Sequence, residues 1–148
     1  MRARSPNATA PDGGRPLLYV VDDDEATLAL LRDVAEEAGW EAEGFTRLGP
    51  LRKALTRRRP TLLILDDELP DGRGGDFARD VGREPTTSGV PMLVCTAARP
   101  MRRAEIGDWA PVIAKPFDLD HIERFLDSAA HAATGGERAS RPSRRSAG

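Results

Sequence analysis

Short apolar runs alternate with amphipathic segments along the chain. Three runs are apolar at almost every position, which is typical of strands buried on both faces of a sheet, and two weaker runs have the length of strands. In chain order, strands are predicted over Leu17–Val21, Glu41–Phe45, Leu62–Leu65, Pro91–Cys95 and Val112–Ala114.

A helix is predicted after each strand. In the first, Leu28, Leu31 and Ala35 recur at helical spacing between an N-cap at Asp24 and a C-terminal stop at Gly39. The others are predicted over residues 49–58, 76–82 and 100–108, and from Asp118 onward. Since crossovers between parallel strands are right-handed, this alternation predicts a mostly parallel α/β sheet with helices on both faces.

The predicted elements occupy residues 16–131, which suits one compact domain. The flanking segments, 1–15 and 132–148, are rich in small residues, proline and arginine without apolar periodicity, and are predicted to be disordered tails. Arginines make the second tail locally basic. Such a tail could contact an acidic partner or nucleic acid, but we favour the interpretation that it is solvated and makes no such contact.

Composition and charge exclude several function classes. The formal net charge is -2, which does not indicate a nucleic-acid binder. No apolar run approaches the roughly 18 residues of a membrane span, and residues 1–16 lack the apolar core of a secretory signal. Cys95 is the only cysteine, and its place in a predicted strand favours a packing role. We therefore expect a cytoplasmic protein with no membrane partner and no direct DNA binding.

Polar and charged residues stand at the carboxyl ends of four predicted strands. In strand order they are Asp22, Asp23 and Asp24; then Asp66, Asp67 and Glu68; then Thr96; then Lys115. In open α/β sheets, ligands bind beyond this edge, so we expect these groups to converge there.

The converging groups fit aspartyl-phosphate chemistry. Clustered carboxylates repel one another, which raises their pKa values, and a hard cation such as Mg²⁺ relieves the repulsion. One acid can then act as a nucleophile toward phosphorus. Lys115 and the Thr96 hydroxyl supply donors for the oxygens of the transferred group. Taken singly, each residue has a structural explanation, and Asp24 is expected to act mainly as a helix cap.

These motifs resemble the receiver domains of bacterial response regulators. The matching pieces are Val20–Asp24, Leu65-Asp66 with Leu69–Gly72 and Gly74, Thr96-Ala97, and Lys115–Phe117. The resemblance implies a flavodoxin-like (βα)5 doubly wound sheet with strand order 2-1-3-4-5. It also implies a single-domain switch of the chemotaxis type rather than an enzyme.

The resemblance assigns a role to each residue of the site. Asp66 would be the phosphoacceptor. The Mg²⁺ ligands would be Asp22, Asp23, Asp66 and the backbone carbonyl of Glu68. The phosphoryl group would contact Thr96 and Lys115, and the peptide bond after this lysine is often cis in the family.

The resemblance also implies partners, and two alternatives stay open. A sensor histidine kinase or a histidine phosphotransfer protein would donate the phosphoryl group, and an unidentified output protein would bind the altered surface. One alternative is an atypical receiver that signals without phosphorylation. The other is a haloacid-dehalogenase-type phosphatase, although that chemistry requires a second aspartate where this chain has Glu68.

Four departures from the family pattern concern switching. Val112 replaces the usual Tyr or Phe that changes rotamer on activation. The 96–115 interval is short, which predicts a truncated fourth helix. Asp67 places a charge where an apolar residue is common, and Glu68 and Ala98 occupy positions that tune phosphoryl lifetime.

Overall fold

A five-stranded parallel sheet forms the centre of the protein, and a computed structural model describes residues 14–136. Its strands are β1 (Leu17–Val21), β2 (Glu41–Phe45), β3 (Leu62–Leu65), β6 (Met92–Thr96) and β7 (Val112–Ala114). An antiparallel hairpin, which the sequence did not predict, consists of β4 (Glu68–Leu69) and β5 (Gly72–Arg73). The strand order is β2-β1-β3-β6-β7, which is the predicted order 2-1-3-4-5 once the hairpin is left out.

Five helices accompany the strands of the parallel sheet, one after each strand in chain order, as predicted. They are α1 (Glu25–Glu37), α2 (Leu48–Arg57), α3 (Gly74–Arg83), α4 (Pro100–Ile106) and α5 (Leu119–His131), followed by a π-helical turn at Ala132–Gly136. Helix α3 begins two residues earlier than predicted, and α4 is short, as the 96–115 interval indicated. Of the predicted tails, residues 1–13 and 137–148 lie outside the described residues. Within 14–136, no helix combines the length and apolar character needed to cross a membrane.

Each face of the sheet has its own apolar core. Along β1, Tyr19 and Val21 belong to the core under α2, α3 and α4, whereas Leu18 and Val20 belong to the core under α1 and α5. Successive side chains of a strand point to opposite faces, so both sets are buried. This two-sided burial explains why the strand is apolar at every position.

Aspartate side chains cap the N-termini of α1, α5 and α2. Asp24 accepts a hydrogen bond from the Thr27 N–H and is the predicted cap of α1, and Asp118 caps α5, whose start was predicted at this residue. Helix α2 is capped from a distance instead, because the Asp71 carboxylate in the hairpin turn accepts hydrogen bonds from the N–H groups of Leu48 (2.8 Å) and Gly49 (2.9 Å). These bonds attach the hairpin to α2.

Cys95 is expected to be unreactive in the folded protein. It lies in β6 with 2% of its surface exposed, and burial raises the pKa of its thiol to about 12. The thiolate is the reactive form, so Ellman's reagent at pH 8 should detect no thiol in the native protein and one after unfolding in guanidinium. Rapid reaction of the native protein would contradict the buried position.

Candidate functional site

Acidic side chains meet where β1 and β3 end side by side. Val21 is the partner of Leu65 in the parallel register, and the next residues along each strand are Asp22 and Asp66. The Asp66 N–H donates to the Val21 carbonyl at 2.9 Å, which continues the pairing past the strand end. Carboxylate oxygens of Asp22, Asp23 and Asp66 all lie within 4.8 Å of one another. Acids from two separate stretches of sequence therefore form one cluster.

The cluster is buried on one side and open on the other. Asp22 and Asp66 are buried, whereas Asp23 is exposed. One oxygen of Asp22 accepts the Asp24 N–H at 2.9 Å, which orients its carboxylate. The side chain of Asp24 bonds to Thr27 at the start of α1 and acts as a cap, as expected.

Lys115 brings the positive charge, from the residue directly after β7. Its Nζ lies 2.6 Å from Asp22 Oδ2 and 3.3 Å from Asp66 Oδ2. Its peptide bond with Pro116 is cis, as the resemblance implied. Burial acts to lower the pKa of Lys115, but the hydrogen bond and charge of Asp22, together with Asp66, outweigh it. The pKa therefore lies above its usual value, and the ammonium group stays charged.

The electrostatics of the cluster favour a divalent cation. Burial raises the pKa of Asp66 above its usual value; Lys115 opposes this shift and Asp22 adds to it. Three carboxylates face one ammonium group, which leaves excess negative charge. Mg²⁺ prefers oxygen ligands and commonly takes one or two carboxylates while keeping positions for water or phosphate oxygens. A half-open set of three carboxylates fits this ion.

Thr96 and Glu68 occupy the same edge with less defined contacts. Thr96 is the last residue of β6 and is buried, and its hydroxyl accepts the Ala98 N–H at 3.1 Å. A hydroxyl that accepts one hydrogen bond can still donate its own proton. The Thr96 carbonyl accepts the Lys115 N–H at 2.9 Å, so the ends of β6 and β7 are adjacent. Glu68 begins the hairpin with its side chain exposed, and its carbonyl as a metal ligand stays a prediction.

Arg102 is the residue near the site that the sequence analysis missed. It lies in α4 and donates to the carboxylate of Asp67 through Nε (2.9 Å) and Nη2 (2.8 Å). The Asp67 side chain is fully buried and also accepts the Gly75 N–H at 3.0 Å, with Arg73 Nε at 3.4 Å. The unusual acid at position 67 was the available signal, because a buried carboxylate requires a cationic partner.

The segment around Val112 is held by apolar packing and by one indole hydrogen bond. Val112 is half-buried and packs against the core under α2, α3 and α4. Nearby, the indole N–H of Trp109 donates to the Gly75 carbonyl at 2.8 Å. This hydrogen bond of Trp109 joins the segment after α4 to the start of α3.

A doubly wound parallel sheet with acids after its first and third strands and a lysine after its last defines the receiver class of signalling domain. The family described as the response regulator receiver domain matches residues 18–127. The chain belongs to this family.

Two of the similar curated proteins are transcriptional regulatory proteins. The phosphate regulon transcriptional regulatory protein PhoB of Rhizobium meliloti (strain 1021) is 37% identical over 82 residues, which cover 55% of this chain and 36% of that protein. The KDP operon transcriptional regulatory protein KdpE of Escherichia coli (strain K12) is 34% identical over 120 residues, which cover 74% of this chain and 48% of that protein. The chain therefore spans less than half the length of these two relatives.

A shorter relative and a solved structure agree with this assignment. The polar-differentiation response regulator DivK of Brucella anthropi is 27% identical over 115 residues, which cover 75% of this chain and 90% of that protein. The structure of the chemotaxis response regulator CheY4 of Vibrio cholerae matches with a TM-score of 0.68 at 22% identity, covering 78% of this chain and 98% of that one. This structural likeness shows the fold.

Proposed function

We propose that the chain is a phosphoacceptor switch of a two-component or phosphorelay pathway and that Asp66 receives the phosphoryl group. The observation that carries the proposal is the position of Asp66, whose carboxylate lies beside those of Asp22 and Asp23 and 3.3 Å from the Lys115 ammonium. A nucleophilic carboxylate, a cation site and a fixed positive charge are the groups that phosphoryl transfer requires.

The donor in this proposal is a phosphohistidine on a sensor kinase or a phosphotransfer protein. An oxygen of Asp66 forms the new bond to phosphorus while the phosphorus–nitrogen bond of the donor breaks, and the departing imidazole keeps the electron pair. Lys115 and the Thr96 hydroxyl hold the transferred oxygens. Mg²⁺, held by Asp22, Asp23, Asp66 and the Glu68 carbonyl, would offset the charge that develops on those oxygens.

Output through contact with another protein belongs to the same proposal. Within residues 14–136, the helices and strands form the sheet, its covering helices and the hairpin at its edge, and none of them forms a separate DNA-binding unit. The chain would then act in the cytoplasm as a switch rather than an enzyme, and at most assist its own phosphorylation and dephosphorylation.

An Asp66→Asn variant is expected to lose phosphorylation completely. Wild-type protein would be incubated with Mg²⁺ and acetyl phosphate, and its intact mass should increase by one phosphoryl group; the amide of the variant is a far weaker nucleophile than a carboxylate. Asp80→Asn, at an exposed position of α3, is the matched control and should label like wild type. Equal labelling of Asp66→Asn would refute the proposal.

Signalling without phosphate is the second candidate, and Val112 is the observation that favours it. This side chain is too small to replace the aromatic that normally reports activation, and α4 has only seven residues. Equal partner affinity with and without a beryllofluoride mimic of the phosphoryl group would support this candidate over the first.

A further inference from the structure

We propose that the ion pair between Asp67 and Arg102 positions the loop that carries Asp66 and couples this loop to α4. The proposal rests on the function proposed for Asp66. It assigns to this pair the link between the site and the fourth helix that Val112 cannot provide.

Asp67 closes the loop that contains the hairpin. Its backbone carbonyl accepts the Gly74 N–H at 2.8 Å, and its carboxylate accepts the Gly75 N–H at 3.0 Å. Two hydrogen bonds therefore join Asp67, at the start of segment 67–75, to the end of the same segment. Asp66 directly precedes Asp67, and Glu68 follows it. The two hydrogen bonds of Asp67 therefore help to position the Asp66 carboxylate and the Glu68 carbonyl.

Arg102 attaches the closed loop to two helices. Besides its two hydrogen bonds to Asp67, it donates to Asp76 of α3 at 3.1 Å and to Glu105 of α4 at 2.9 Å. Its side chain is only 14% exposed, and that of Asp67 is 0% exposed. A planar guanidinium bound to a carboxylate through two hydrogen bonds has a defined orientation. Displacement of the loop would therefore move α4 or break this contact.

The start of α3 packs closely against its neighbours on two sides. A Cβ atom placed on Gly74 would lie 1.8 Å from the Asp66 carbonyl oxygen, and one on Gly75 would lie 2.7 Å from Ile106 of α4. The start of α3 thus fills the gap between the phosphoacceptor backbone and α4. In a close-packed interior, a displacement at one of these surfaces reaches the other.

Two variants test this role. Arg102→Gln removes the cation, and the double variant Asp67→Leu/Arg102→Met replaces the pair with apolar side chains, so that no buried charge is left alone. Arg83→Gln, exposed in the last turn of α3, is the control. Mg²⁺ affinity would be measured by calorimetry below the unfolding temperature of each variant. Amide hydrogen exchange of residues 66–75 and 100–106 would be measured with and without Mg²⁺ and beryllofluoride.

Both variants should bind Mg²⁺ about tenfold more weakly than wild type, as is common when residues that orient metal ligands are removed. Beryllofluoride should change the exchange of residues 100–106 in wild type and in Arg83→Gln but not in the two variants. Wild-type Mg²⁺ affinity and an unchanged α4 response in Arg102→Gln would overturn the proposal. Retained affinity in the double variant would also overturn it, since the loss in Arg102→Gln would then come from an unpaired buried charge.

Different outcomes test the positioning role of Arg102 and the function proposed for Asp66. If acetyl phosphate does not label the wild-type protein, the function proposed for Asp66 is wrong. If wild type and Arg102→Gln are labelled equally and bind Mg²⁺ equally, the positioning role of Arg102 is wrong while the function of Asp66 stands.

Discussion

Gly74→Ala is expected to destabilise the protein by about 3 kcal/mol. The new methyl carbon would lie 1.8 Å from the carbonyl oxygen of Asp66 and 2.9 Å from its carbonyl carbon. Both neighbours are backbone atoms, so no rotamer change can relieve the overlap, and α3 must move away from the end of β3. The free energy of unfolding would be measured by urea denaturation followed by circular dichroism.

Gly82→Ala is the matched control because it lies in the same helix. Its added carbon would meet nothing closer than the Met92 Cε at 3.6 Å, which is ordinary contact. Alanine has the higher helix propensity, so this variant should be more stable than wild type by roughly 0.5–1 kcal/mol. If the two glycine variants had equal stability, the close approach of α3 to Asp66 would be wrong.

Arg102→Met should also destabilise the protein by about 3 kcal/mol, because it leaves the carboxylate of Asp67 buried without its main partner. Arg73, 3.4 Å away on an exposed side chain, and the Gly75 N–H are the partners that remain. When both members of a buried pair are replaced by apolar residues, stability is often recovered. We therefore expect Asp67→Leu/Arg102→Met to be more stable than Arg102→Met, again by urea denaturation.

An exposed ion pair of similar geometry provides the control. Arg58 donates two hydrogen bonds to Glu41, at 2.8 and 3.2 Å, but the two side chains are 45% and 43% exposed. Water stabilises both charges after the pair is broken, so Arg58→Met should change stability by about 1 kcal/mol or less. A comparably small effect for Arg102→Met would contradict the burial of Asp67.

The main elements could be predicted from sequence because their signals are local. A run such as Leu17–Val21 is apolar throughout because helices cover both faces of its strand. Its burial can therefore be predicted from consecutive residues alone. Asp24 and Asp118 mark helix starts because a cap acts within its own first turn. The order of the strands required the resemblance to the receiver family as well, since local patterns alone do not order a sheet.

The candidate site was predictable to the same extent. The carboxyl ends of parallel strands share one edge, so locating the strand ends was enough to bring Asp22, Asp66 and Lys115 together. The hydrogen bond between the Thr96 hydroxyl and the Ala98 N–H did not follow from this argument, because the position of a strand end does not give the direction of a hydroxyl group. The roles of these four residues in phosphoryl transfer remain predictions, which the experiments above would test.

Reading the chain alone was enough to predict the α/β alternation, the strand boundaries to within about a residue, and the charged groups at the carboxyl edge of the sheet. The packed fold was needed to show that Asp71 caps α2, that Gly74 lies against the backbone of Asp66, and that Arg102 pairs with Asp67. The two groups of features differ in the sequence distance over which their interactions act. Periodicity and capping depend on neighbours within a turn or a strand, whereas these contacts join residues whose proximity exists only after the helices have packed on the sheet.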